Sequence, residues 1–202
     1  MIKALYEKLN SSEFLVPGGI SYNFYILPYD VRNEAKVISD INNVLKDLKR
    51  PADYIDVLVV DLFQVFTEFL SSLKLGSTNY RDHLIKADSI AKDEYGHGNV
   101  TKILSEKAHC REFLDFVHAK VLAHFGKDDP QLKRPYLFLY GMGAMFPYLR
   151  TNEFLTAYEA VNDANLYKVI VLYPGIVQDG RFSLFGVLDD PHAYRAQMLP
   201  LQ

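Results

Sequence analysis

Short apolar runs alternate with stretches of helical periodicity, and this alternation constrains the fold more than any other feature of the chain. Residues 22–27 are rich in aromatic and β-branched side chains and predict a strand. Apolar positions from Val31 then recur at helical spacing, with Asp30 placed to cap the helix. The same order repeats as a strand predicted at 54–60 and a helix over 62–73. Two successive strand–helix units favour a parallel sheet.

The remaining chain adds a helical segment and further strands. Residues 78–129 show helical spacing with no clear strand, which predicts a helical insertion. The elements predicted after it are a strand at 136–140, a helix over 152–161, a strand at 167–173, a strand at 181–187 that can return antiparallel, and an edge strand at 194–199.

The predicted fold is α/β, with a mostly parallel central sheet flanked by helices, a helical insertion and antiparallel C-terminal strands. With 202 residues, of which 49% are hydrophobic, the chain is long enough for one well-buried core. No composition shift marks a linker, so one domain over residues 1–202 is expected.

The composition narrows the functional classes. The net charge is −3 and the pI about 6.1, so the overall field does not attract a polyanion and direct nucleic-acid binding is not expected. The single cysteine, Cys110, excludes a disulfide framework within the chain and a multi-cysteine zinc site. The sequence shows neither a signal-peptide core nor a run of membrane-spanning length, so we expect a cytoplasmic protein without a membrane contact.

Asp61 has two interpretations. It follows an apolar run, as does the magnesium-binding aspartate of P-loop ATPases, but no glycine-rich loop with Gly-Lys-Ser/Thr accompanies it. The pair Gly126-Lys127 is followed by Asp128 instead. Asp61 and Gln64 also have the spacing of a helix cap, which we favour over a metal site.

The segment 136–150 joins a buried-strand pattern to a glycine turn that carries one arginine. Gly141 and Gly143 invite comparison with the dinucleotide fingerprint, but Phe146 occupies the position of its third glycine. The glycines therefore predict a tight turn. Arg150 could clamp a carboxylate or phosphate, or form a structural ion pair.

Known catalytic patterns are missing from the sequence. None of the six histidines forms a His-Glu-x-x-His pair, and no Gly-x-Ser-x-Gly elbow occurs. Cys110 is predicted to fall in the middle of a long helix, on its apolar stripe, where a thiolate is not favoured. We therefore predict no catalytic residues, no metal site and no cofactor.

Three local patterns in a fixed order carry a family resemblance. They are residues 140–150, then Leu172-Tyr-Pro-Gly175, then Ser183-Leu-Phe-Gly186 followed by Tyr194-Arg-Ala196. In this order the chain resembles the BrxB proteins of bacterial BREX phage-defence systems, most strongly over residues 135–199. The resemblance implies a role beside an alkaline-phosphatase-like PglZ protein, a large ATPase and a DNA methyltransferase that marks host DNA. It supplies no catalytic residues.

From the resemblance we expect a non-catalytic interaction or assembly subunit of a BREX system, which supports host DNA methylation and phage restriction by docking to partners such as PglZ. The expected partner-binding residues are Gly141, Met142, Gly143, Met145, Phe146, Arg150, Pro174 and Gly175. Asp61, Tyr194 and Arg195 are candidate ligand-binding or structural residues. The alternative is a degenerate nucleotide-binding or phosphoryl-processing enzyme that uses Asp61 and Arg150 around a phosphate.

Overall fold

A computed structural model describes residues 2–11, 14, 23–48, 55–91, 98–125, 133–162, 166–178, 180–190 and 196–199. Its strands are β1 (Phe24–Tyr29), β2 (Ile55–Asp61), β3 (Lys74–Leu75), β4 (Thr78–Asn79), β5 (Lys133–Tyr140), β6 (Lys168–Gln178), β7 (Arg181–Leu184), β8 (Leu188–Asp190) and β9 (Gln197–Met198). Its helices are α1 (Ile2–Asn10), α2 (Glu34–Leu48), α3 (Leu62–Ser72), α4 (Tyr80–Ala91), α5 (Gly98–His109), α6 (Arg111–Phe125), α7 (Met142–Met145) and α8 (Thr151–Glu159).

A parallel sheet forms the centre of the molecule. Its strand order is β2-β5-β6-β1-β9, and each neighbouring pair in this order is parallel. Strands β7 and β8 extend from β6 as antiparallel neighbours. This arrangement confirms the predicted fold class, including the antiparallel return after β6 and an edge strand near the C-terminus.

The strands of the central sheet end at one edge. Asp61 at the end of β2 is in register with Tyr140 at the end of β5, and Tyr29 at the end of β1 is in register with Pro174 of β6. The segment that follows β5 therefore leaves the sheet at its carboxyl edge. Ligands and partners of open α/β sheets are usually found at this edge.

Both faces of the sheet are buried. Successive side chains of a strand point to opposite faces, so Leu137 and Leu139 join one core while Tyr136 and Phe138 join the other. Helices α3, α4, α6 and α8 cover the first face, and α1 and α2 cover the second. Burial on both sides explains why the strands read as continuous apolar runs rather than alternating ones.

The second core contains a lysine. Lys168 is fully buried, and its Nζ lies 4.1 Å from the ring centroid of Phe14 and 5.3 Å from that of Tyr25. The two ring faces give the ammonium group a favourable cation–π environment.

The described part of the predicted insertion is helical apart from the short strand β4 at its start, and it differs from the prediction in one further respect. Its helices are α4, α5 and α6, but the long helix expected through Cys110 is wrong, because α5 ends at His109 and α6 begins at Arg111. The Cys110 thiol donates to the Lys107 carbonyl at 3.1 Å, which serves one of the last carbonyls of α5. Cys110 immediately precedes α6, and a helix start usually favours a thiolate. Burial instead raises the pKa of the Cys110 thiol, so the thiol stays protonated.

Candidate functional site

Asp61 and Gly141 meet at the carboxyl edge of the sheet. Gly141 has φ +83°, and a Cβ atom there would lie 2.5 Å from Asp61 Oδ1. The same Asp61 oxygen accepts a hydrogen bond from the Gln64 backbone N–H at 3.1 Å and caps α3. This geometry confirms the capping interpretation of Asp61 and explains why the turn begins with glycine.

A negative field surrounds Tyr140 at the same edge. Burial raises the pKa of the Tyr140 hydroxyl, and the charges of Asp61 and Glu34 raise it further. Glu34 also accepts a hydrogen bond from the Tyr29 hydroxyl at 2.8 Å. Two carboxylates around the ends of β1, β2 and β5 disfavour a bound phosphate, which the alternative enzyme hypothesis requires.

The segment after Gly141 folds back into the core. Met142 and Met145 of α7 are 2% and 0% exposed and pack in the same core as α3. They therefore shape the loop from inside and do not reach a partner surface of the folded chain. The predicted role of these two methionines as contacts must be corrected accordingly, because the glycine turn directs α7 inward.

The three sequence patterns of the family resemblance meet in space in their described parts, which for the third pattern means residues 183–186. A Cβ atom on Gly143 would lie 2.8 Å from the Phe185 ring and 3.2 Å from Pro174 Cγ. A Cβ atom on Gly175 would lie 2.2 Å from the Ser183 carbonyl oxygen. We call this unit the signature cluster; its members are Gly141, Gly143, Pro174, Gly175, Phe185 and Gly186.

Pairing of β6 with β7 closes the signature cluster. The Phe185 N–H donates to the Pro174 carbonyl at 2.8 Å, and Phe185 has φ +59°. Gly141, Pro174 and Gly175 are buried, so these predicted contact residues hold the backbone together rather than present side chains. The close approach of three backbone segments explains the glycine positions.

Arg150 lies at the start of α8. Its backbone N–H donates to Glu153 Oε2 at 3.0 Å, which is half of a capping box. Its guanidinium lies 5.7 Å from the ring centroid of Phe146, and it forms no ion pair with any residue in the described ranges. Among the described residues, the structural ion pair considered for Arg150 is therefore not formed, and the cation stacks on an aromatic ring.

Helix α5 braces the same loop from outside. Ser105 Oγ donates to the Tyr148 carbonyl at 3.1 Å. The His109 ring lies between the Ser105 carbonyl, 2.7 Å from Nδ1, and Glu153 Oε2, 3.2 Å from Nε2. Sequence reasoning missed Ser105 and His109, because no local pattern reports contacts between residues more than forty positions apart.

Exposed apolar side chains continue the surface beside Phe146 and Arg150. Ile176 is 57% exposed, Val187 76% and Leu188 37%. Leu188 shares a small cavity with Phe146 and Arg150, and Ile176 lies against Gly186, where a Cβ atom would be 3.2 Å from its Cδ1. We call Phe146, Arg150, Ile176, Val187 and Leu188 the docking patch.

Sequence reasoning placed Val187 in the strand predicted at 181–187 and named none of Ile176, Val187 and Leu188 among the partner-binding residues. Tyr194 and Arg195, the other two candidates, lie outside the described residues. No hydrogen bond or ion pair joins Asp61 to Arg150, both of which are described.

Within the described ranges, no group of three or more His, Cys, Asp or Glu side chains is arranged to hold a metal ion. The helices of the same ranges are each too short or too polar to cross a bilayer.

One comparison with known proteins gives a match. The family model described as "BREX protein BrxB" matches residues 58–199, which is more than half of the chain. The matched range includes the signature cluster, the docking patch and α5. Neither a curated protein nor a solved structure matches the chain.

Proposed function

The chain belongs to the BrxB family and is thus a component of a BREX phage-defence system, and we propose that it acts there as a non-catalytic assembly subunit that docks to PglZ. The docking patch is the surface that makes this contact. Docking in turn supports host DNA methylation and phage restriction by the assembled system.

One observation carries the proposal. The Arg150 guanidinium rests on the Phe146 ring, is not neutralised by an ion pair within the described ranges, and lies beside Leu188, an exposed apolar side chain of the β7–β8 hairpin. Arginine and aromatic residues are enriched among the residues that dominate binding energies. The planar guanidinium can also hold a partner carboxylate through two parallel hydrogen bonds.

The support beneath the patch favours tight docking. Tyr148, between Phe146 and Arg150, is held to α5 by Ser105, and the signature cluster fixes the backbone on the other side. A surface that is ordered before binding loses less conformational entropy on association. The buried members of the predicted surface, Gly141, Met142, Met145, Pro174 and Gly175, contribute in this indirect way.

Co-purification with PglZ tests the proposal. We expect Arg150→Glu to weaken the complex at least about tenfold, because the charge that faces the partner is reversed. Lys36→Glu makes the same change of charge on the exposed surface of α2, outside the matched range, and should bind normally. A well-folded Arg150→Glu variant that binds PglZ as tightly as the wild type would contradict the assignment of the surface.

A further inference from the structure

A second apolar surface lies next to Tyr148, which stands between Phe146 and Arg150 in the chain. Helices α3, α4 and α5, together with Tyr148, enclose a groove of about 400 Å³. Its lining is mainly apolar and includes Phe63, Phe66, Leu70, Leu84, Ile85 and Leu104. Phe63 is 38% exposed and Ile85 56% exposed, so the groove opens to solvent.

One stripe of α4 forms a wall of the groove. Arg81, Leu84, Ile85 and Asp88 have the spacing i, i+3, i+4, i+7, which places them on one face of the helix. Two apolar side chains therefore lie between a cation and a carboxylate. Apolar surface that stays open between charged ends is characteristic of an interaction site.

The walls of the groove indicate the secondary structure of its occupant. As far as the chain is described, they are built from helices, whose backbone hydrogen bonds are internal, so these walls offer no sheet edge to an extended strand. A chain that enters it must satisfy its own backbone groups, which an α-helix does.

The positive charge of Arg81 restricts which helices can bind in the groove. Arg81 is exposed at the end of the stripe and forms no ion pair with any residue in the part of the chain that the structure describes. An incoming helix therefore needs an apolar ridge with a carboxylate at the end that meets Arg81. A basic residue at this position would face a like charge.

From this geometry we infer that the groove binds an amphipathic, acidic-ended helix of another BREX protein. The inference rests on the proposed function, since it takes the occupant from the same assembly. In this arrangement the chain makes two contacts with its partners, one through the docking patch and one between a partner helix and the α3–α4–α5 groove. Because α5 also holds Tyr148, the two contacts share one structural support.

Two isoleucines of α4 provide a matched test. Ile85 lines the groove and is 56% exposed, whereas Ile90 on the same helix is 64% exposed and lies outside the groove lining. The tagged chain, carrying Ile85→Asp or Ile90→Asp, is co-expressed with the other proteins of its BREX system and purified, and the retained proteins are quantified. We expect Ile85→Asp to reduce the retained partner at least about tenfold and Ile90→Asp to leave it unchanged.

Arg81 provides a second, independent pair of variants. Arg81→Glu should weaken the same complex, while Arg81→Lys, which keeps the charge, should retain most of the binding. Equal melting temperatures of the variants and the wild type serve as the folding control. A complex that survives both Ile85→Asp and Arg81→Glu, or is lost equally with Ile90→Asp, would overturn the groove inference while leaving the proposed function intact. A wild-type chain that retains no BREX protein at all would overturn both.

Discussion

Gly175 and Gly180 lie on the same hairpin but have opposite surroundings. A Cβ atom on Gly175 would lie 2.2 Å from the Ser183 carbonyl, whereas no atom of the described residues lies within 4 Å of one on Gly180, which has φ +75°. We expect Gly175→Ala to lower the free energy of unfolding by about 3 kcal/mol, through overpacking against backbone. Gly180→Ala should cost about 1 kcal/mol, from its positive φ alone.

Urea unfolding of both glycine variants measures this difference. Equal losses would show that β7 can move away from β6 at no cost, in which case the signature cluster is not tightly packed.

Tyr167 joins a buried network of polar groups. Its hydroxyl lies 2.7 Å from the Tyr158 hydroxyl and 2.6 Å from His118 Nδ1. Burial raises the pKa of Tyr167 to about 12 and raises the pKa of Tyr158 as well. In the unfolded chain both hydroxyls lose their protons near pH 10, before they do so in the folded chain.

The folded state therefore holds more protons than the unfolded state between about pH 10 and 12, and its stability falls as the pH rises through this range. For Tyr167 the loss should reach about 2–3 kcal/mol at the upper end, since one pKa unit corresponds to about 1.4 kcal/mol. We expect Tyr167→Phe to show a smaller loss between pH 9 and 11, as measured by urea unfolding. Parallel pH dependences of the variant and the wild type would contradict the pKa shift.

Single residues also show where sequence reasoning succeeds and where it stops. The capping role of Asp61 was predicted because Asp61 and Gln64 are close in sequence, and a local pattern reports a local hydrogen bond. The burial of Met142 and Met145 was not predicted, because helical spacing does not reveal which way a glycine turn directs the next residues.

Among the elements, α3 offers a test of what Asp61 does. Loss of the cap in Asp61→Ala should lower the free energy of unfolding by about 1 kcal/mol, whereas Asp61→Asn, which can still accept the Gln64 N–H, should remain close to the wild type. Chemical denaturation measures both.

Asp61→Asn also tests the alternative hypothesis, in which the chain is a nucleotide-binding enzyme. If Asp61 held magnesium and a nucleotide, the wild type would give heat on titration with Mg-ATP and Asp61→Asn would abolish it. Heat in the micromolar range that disappears in Asp61→Asn would favour the alternative over the capping role.

Local periodicity predicts the longer strands and helices, but it does not predict every point at which one element ends and the next begins. Strands β1, β2, β5 and β6 were predicted because each is a short apolar run bounded by turn residues or helical spacing. The change of direction at Cys110 was missed, because the apolar spacing of α5 continues through the junction into α6. The β3–β4 hairpin was also missed, since strands of two residues carry no detectable alternation.

At the scale of the whole molecule, repeated strand–helix units predicted a parallel sheet but not the order of its strands. The connection from β1 to β2 passes over β6 and β5, and this crossover depends on which faces the helices cover rather than on any local pattern. The docking patch was predicted only in part for the same reason. Phe146 and Arg150 belong to a local pattern, whereas the hairpin brings Leu188 beside them from about forty residues away.

The most exposed residue of the docking patch gives the most direct test of its role. Val187 is 76% exposed, so Val187→Asp should leave the free energy of unfolding within about 0.5 kcal/mol of the wild type. A charge at this position should nevertheless disturb an apolar contact with a partner.

The decisive measurement is a quantitative co-purification of the tagged chain with PglZ from cells that express the complete BREX system. If the docking patch binds PglZ, the wild type will retain PglZ, Arg150→Glu and Val187→Asp will lose it at least about tenfold, and Lys36→Glu will retain it. Normal retention of PglZ by the folded patch variants, or no retention by the wild type, would contradict the proposal that the docking patch binds PglZ.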